Sequence, residues 1–323
     1  MWVCNQRAAT RICFAGLPAS AIRNVPLRPK SETMSDTAPD QVDPTQALAA
    51  LRAELDRIDD NIHDLLMLRA EVVERVGALG AKGRTPIRPG REAAIIHRLL
   101  ARHRGPLPKR VLPRIWREML AATTAMQASY IIAVCDPSEG QTAGYVSLGR
   151  EHFGASTDMR IHSSPAQALA EVSSGAAIAA VLPMPSEDEP QRAAWWTALL
   201  QQDAPRIHVV ARLPFWAPRA EGASQARALV VSIAPPDPSP ADHSLIGVEL
   251  PPETSRARVT ALFTEAGLPP LGLILRRDPH ASLALVIVDG FVTDFDQRLA
   301  SLAVPHKPVV IGAYAKPIDG ESA

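Results

Sequence analysis

Apolar residues in the first third of the chain recur at alternating intervals of three and four. Leu48, Leu51, Leu55, Ile58, Ile62, Leu65, Val72, Val76 and Leu79 trace one seam, the spacing of a helix packed along its length against other helices. The pattern predicts a long helix over about 45–80, ended by "GALGAKGRTPIRPG", whose glycines and prolines break it. A shorter helix is predicted over 91–103, "REAAIIHRLLARH". A third is predicted over about 108–128, with Leu112, Ile115, Trp116, Met119, Leu120 and Met126 as its stripe.

After Ser129 the pattern changes. "YIIAVCD", "AIAAVLPMP" and "RIHVVARLP" are short apolar runs bounded by turn residues. They alternate with helical stretches such as "PAQALAEVSSG" and "RAAWWTALLQQ", which is the α/β signature. From about 243, strand "SLIGVEL", helix "SRARVTALFTEAGL", strands "GLILRR" and "LALVIVDG", helix "DFDQRLASLA" and strand "KPVVIGAY" give the order βαββαβ, a ferredoxin-like arrangement. The expected fold class is therefore α plus α/β. Its segments are an N-terminal arm over 1–43, a three-helix all-α domain over 44–128, an α/β domain over 129–240 and a ferredoxin-like domain over 241–323. The Pro-rich "APPDPSPADHS" at 234–244 reads as a linker. No internal repeat is visible.

Composition removes several classes. Formal net charge is zero and the pI is 7.1, so nucleic acid is not the expected partner. No apolar run approaches the roughly 20 residues of a membrane span. Cys4, Cys13 and Cys135 have no metal-ligand spacing, and Cys135 stands alone in the body of the chain; both facts suit a reducing, cytoplasmic location. Residues 1–33 carry Arg7, Arg11, Arg23, Arg28 and Lys30 with no acid before Glu32. That composition fits a transit peptide; the favoured reading is a start site placed too early, with Met34 as the true start. Disorder is expected there.

The candidate chemistry begins at Arg69, a permanent cation at a seam position that calls for leucine. Snorkelling to the surface and pairing with a glutamate across a coiled coil are ordinary explanations. Other residues argue against them. Arg52 lies 17 positions earlier, about 25 Å away on a straight helix and about 100° round it, so the two cannot reach one small molecule from one helix. Thr123 and Gln127 share a face at i and i+4 and turn the third helix's stripe polar. Arg91 and Glu92 open the second helix. Arginines, a glutamate, a glutamine and a threonine facing a helical interior describe a pocket for a small, rigid, multiply anionic molecule, since the guanidinium fork binds carboxylates bidentately and stays charged when desolvated.

The run "LxxLRxxLDxIDxxIxxLLxxR" over 48–69, followed by "RPGRE" and "RIWREMLAATTAMQ", resembles the all-helical chorismate mutases. The resemblance implies an intertwined helical homodimer. In it, Arg52 crosses into the partner's active site and Arg69 holds a substrate carboxylate in its own chain. Arg91 and Glu92 match the pair at the second helix, Thr123 a hydroxyl position, and Gln127 the group facing the ether oxygen. The family lysine at that oxygen aligns with Gly80. The nearest lysine is Lys82, about 220° round from Arg69 on a straight helix where position 80 lies within about 20°. The family's acid before the second helix is replaced by "RPG". The implied reaction is the rearrangement of chorismate to prephenate, in phenylalanine and tyrosine biosynthesis, with no metal or cofactor.

The remainder resembles a degenerate prephenate dehydratase, with its periplasmic-binding-like α/β fold, followed by an ACT-like domain. "AAVLPMPSED" keeps Pro183 but sets Pro185 and Ser186 where that family has glutamate and asparagine. The catalytic threonine aligns with Ala226, and "SEGQTAG" is what remains of the Gly-rich motif. In the last domain "ETSRARV" and "LRRDP" stand at the amino-acid-binding stretches. His63, His97 and His103 read as solvated or core-edge residues, and Trp195 and Trp196 as core. Three functions remain in view: a chorismate mutase with a silent C-terminal half, a bifunctional mutase and dehydratase, and a non-catalytic amino-acid sensor or partner-binding protein.

Overall fold

The computed structural model describes residues 43–79, 86–137 and 144–320. The chain divides into two compact units, Met1–Asn61 and Ile62–Ala323. In the first, Asp43 opens helix α1 (Pro44–Leu79) by accepting the Thr45 N–H at 3.0 Å on its carboxylate. No residue of α1 is buried. Its predicted seam, Leu48 through Leu79, is exposed throughout, with Leu65 at 65% and Leu79 at 86%.

The second unit holds the rest of α1, α2 (Pro89–Arg102) and α3 (Val111–Ala125). Pro89 at the first turn of α2 loses nothing by lacking an N–H there. The amides that follow are capped from far along the chain. The Asp237 carboxylate accepts from Gly90 N at 2.9 Å and Arg91 N at 3.1 Å, and from Arg88 Nε at 3.2 Å. Glycine is required at 90, because a Cβ would stand 2.0 Å from the Asp237 carbonyl oxygen. The stretch 234–244 is therefore a built contact rather than a loose linker. Ser239 adds hydrogen bonds to Asp242, from its N–H at 2.8 Å and its hydroxyl at 2.6 Å.

The α/β part runs β1 (Ile131–Cys135), α4 (Gly144–Phe153), β2 (Asp158–His162), α5 (Pro165–Ser173), β3 (Ala179–Pro183), β4 (His208–Leu213), β5 (Trp216–Ala217) and β6 (Ala228–Ser232). Then come β7 (Asp242–Leu250), α6 (Arg256–Glu265), β8 (Pro270–Arg277), β9 (Ser282–Asp289), α7 (Gln297–Ala300), β10 (Val309–Ala315) and β11 (Ile318–Asp319). One nine-stranded sheet has the order β2-β1-β3-β6-β4-β10-β7-β9-β8. β1 pairs parallel with β2 and β3, and β6 lies antiparallel between β3 and β4. The βαββαβ order is borne out, with β10-β7-β9-β8 antiparallel throughout. That unit does not stand apart: β10 pairs parallel with β4 where Gly312 meets Val209. A Cβ on Gly312 would lie 2.1 Å from the Val209 carbonyl oxygen, so the sheet continues across this point only because the residue is glycine.

Trp196 is fully buried and Trp195 nearly so. Their indole N–H groups donate to Glu189 Oε1 at 3.2 Å and the Pro183 carbonyl at 2.9 Å, which is the core role expected of them. "RAAWWTALLQQ" is not an α-helix. It forms two 3-10 segments, Gln191–Ala193 and Trp195–Gln201. Ala194 divides them at ψ 55°, outside the helical region.

Candidate active site

Arg69 sits half-buried on α1, where Nη1 donates to Thr123 Oγ1 at 3.1 Å. The Thr123 hydroxyl proton turns back to α3's own carbonyls, Met119 O at 2.9 Å and Leu120 O at 3.2 Å. Its oxygen is thereby left to accept from the guanidinium. Burial, and then the nearby charge of Arg91, lower the Arg69 pKa. The neighbourhood is thus short of negative charge, and an anion would relieve it. Arg91 itself is exposed at the opening of α2, its N–H fixed by Asp237. Gln127 lies beside the last turns of α1: a Cβ on Gly77 would be 3.5 Å from Gln127 Cγ, an ordinary contact distance.

Of the residues singled out in the sequence, Arg69, Arg91 and Thr123 come together, with Gln127 next to α1. Glu92 is placed differently. Its Oε2 accepts from Arg117 Nη1 at 2.7 Å, with the Arg117 side chain buried and the Glu92 side chain largely so, at 15% exposure. Burial pushes the Glu92 carboxyl up while the Arg117 charge opposes it; burial likewise pulls the Arg117 pKa down, opposed by Glu92. The two adjacent residues that open α2 therefore diverge, about 100° apart round the helix. Arg52 lies exposed on α1 in the first unit. Lys82 and Gly80 lie outside the described residues.

Sequence reasoning missed Arg117 and Asp237. Arg117 had a signal: with Pro113, Leu120 and Thr124, all buried, it follows the i, i+4, i+7, i+11 face of α3, as Arg69 follows the seam of α1. Asp237 had none, because it acts 146 or more positions away from the amides it caps.

The chorismate mutase type II family model matches residues 51–128. The chain is similar to proteins named bifunctional chorismate mutase/prephenate dehydratase. With that of Aquifex aeolicus it shares 30% identity over 132 residues, 39% of this chain and 34% of the relative. With that of Stutzerimonas stutzeri it shares 28% over 148 residues, 44% and 40% respectively. The chain thus covers well under half the length of these curated relatives. Among solved structures, GqqA, described as a novel type of quorum quenching acylase, superposes with a TM-score of 0.43 at 17% identity, over 57% of this chain and 94% of that one. The prephenate dehydratase of Arthrobacter aurescens gives 0.41 at 14%, over 58% and 90%. The helical segment that holds Arg69, Arg91 and Thr123, residues 51–128, is a chorismate mutase type II domain.

Proposed function

We propose that the chain converts chorismate to prephenate. The observation that carries the reading is the 3.1 Å bond from Arg69 to a Thr123 hydroxyl already oriented by α3. One edge of the guanidinium is held in place and the rest is free to bind a carboxylate bidentately. Arg69 and Arg91 hold the two-fold anion compact, with the reacting carbons near each other, and Gln127 donates to the ether oxygen as its bond breaks and negative charge develops. No group is transferred to the protein. Glu92, bound to Arg117, fixes the start of α2 rather than touching substrate.

The test is incubation of the purified chain with chorismate and identification of the product. Prephenate is the expected product; phenylpyruvate would show a second, dehydratase activity. Against the latter stands Ala226, where a catalytic threonine is wanted. It offers only a methyl group, 3.3 Å from where a Cβ on Gly144 would lie.

The bare seam of α1 supports a homodimer through that helix, with Arg52 delivered to the partner's site. Mixing inactive Arg52→Ala and Arg69→Ala chains should restore about a quarter of parental activity: half the dimers are mixed, and each of those has one intact site of two. Subunit exchange without recovery would rule the arrangement out. Lys82, outside the described residues, is proposed as the cation at the ether oxygen. Lys82→Ala should lower kcat by at least about 10²-fold with the dimer intact; an unchanged kcat would make Lys82 a solvated surface residue. No helix among the described residues is long and apolar enough to cross a membrane. Cytoplasmic placement belongs to the same proposal, supported by the buried free thiol of Cys135.

A further inference from the structure

A cavity of about 410 Å³ opens between the start of α3, the end of α4 and the loop that follows β4. Three arginines line it: Arg110 at the N-cap of α3, and Arg114 and Arg117 within the helix. Their i, i+4, i+7 spacing puts them on one face. Arg110 and Arg114 are exposed; like charges four apart repel, and cations are unfavourable at a helix's first turn, so the helix itself gains nothing from these two. Arg117 is held by Glu92, and Arg219, also at the cavity, by Glu151 at 2.7 Å. Arg110 and Arg114 have no ion-pair partner among the described residues.

The facing wall is apolar and aromatic, with Leu213, Phe215 and Trp216. The Arg117 guanidinium lies 4.8 Å from the Phe215 ring centroid, which fixes that ring as a platform. His152 completes the lining. It is 7% exposed, and its Nδ1 is buried with no hydrogen-bond partner among the described residues. Burial and the Arg117 charge keep the ring neutral. An unpaired buried nitrogen is costly, and a polar atom of a ligand would satisfy it.

We propose that this cavity binds a small aromatic carboxylate. The carboxylate lies on Arg110 and Arg114 and the ring packs against Phe215 and Trp216. Charge and aromatic surface are both required, because neither wall alone accounts for the other. The site is separate from Arg69 and does not depend on the mutase reading.

Calorimetric titration of the full chain with phenylacetate tests it. One saturable site per chain is expected. Arg110→Gln with Arg114→Gln should weaken binding by at least about tenfold, and Ala220→Trp, at an exposed position of the lining, should abolish it by filling the space. Arg69→Ala should leave it intact, whether or not that variant turns over chorismate. The proposal is overturned if phenylacetate shows no saturable binding at millimolar concentration, or if both cavity variants bind like the parent. Inorganic phosphate binding as tightly as phenylacetate, or loss of binding with Arg69→Ala, would overturn it equally.

Discussion

Arg117→Ala is expected to destabilise the chain by about 3–5 kcal/mol, the range for removing one partner of a buried ion pair. The guanidinium is 5% exposed and lies 2.7 Å from Glu92. Without it the carboxylate stays buried with the Asp237 charge as a neighbour that already opposes ionisation. Loss of the Phe215 contact adds to the deficit. The effect has a pH signature. A carboxyl whose folded-state pKa lies above its unfolded value binds its proton more tightly when folded. It therefore favours folding below the unfolded pKa, and that advantage is lost as pH rises through the folded one. Glu92 is raised by burial in the parent and is raised further once Arg117 is gone. The deficit between variant and parent should be largest at neutral pH and narrow on acidification into the ordinary carboxylate range. Urea unfolding at both pH values measures it, and a deficit that is constant or grows in acid would contradict the assignment. Replacing both partners, Arg117→Met with Glu92→Leu, should recover most of the loss, because no buried charge is then left alone.

Periodicity made the helical third legible. The seam of α1 reveals both the helix and the anomaly within it, and α1 begins within one residue of the expected bound. The same argument applied to α3 would have exposed Arg117. The apolar stripe through Ile115, Trp116 and Met119 runs to one side of it. Glu92 shows a harder limit: two consecutive residues at a helix start face different ways, and only tertiary packing decides which meets the site and which the core. The cap on α2 lay further out of reach. "RPG" has no acid of its own, and the carboxylate arrives from a segment whose prolines suggested a linker. In the sheet, β2 went unread since its sequence "DMRIH" is largely polar, as an edge strand paired on one side only can be. The two tryptophans were placed correctly in the core, but the helix around them was not, because the turn at Ala194 leaves no mark in apolar spacing.

The largest effect on activity is expected at Arg69. Arg69→Ala should lower kcat/KM by about 10³-fold, roughly 4 kcal/mol, within the range for truncating one side of a desolvated, hydrogen-bonded charge pair. Arg69→Lys should rescue little of it. Lysine keeps the charge but offers a point donor in place of the planar fork, and cannot hold Thr123 and a bidentate carboxylate together. Thr123→Val should cost about tenfold, as it removes the acceptor that orients the guanidinium and leaves the charge in place. Stability should not follow activity. In the free chain Arg69 is partly desolvated and close to the like charge of Arg91, and both effects lower its pKa. Removing it relieves a strain that is useful only when an anion is bound, so the melting temperature of Arg69→Ala should equal or exceed the parent's. Steady-state kinetics and thermal unfolding on the same preparations separate the two roles. If activity and melting temperature fall together, Arg69 is a structural residue of the helical seam and the substrate carboxylate is held elsewhere.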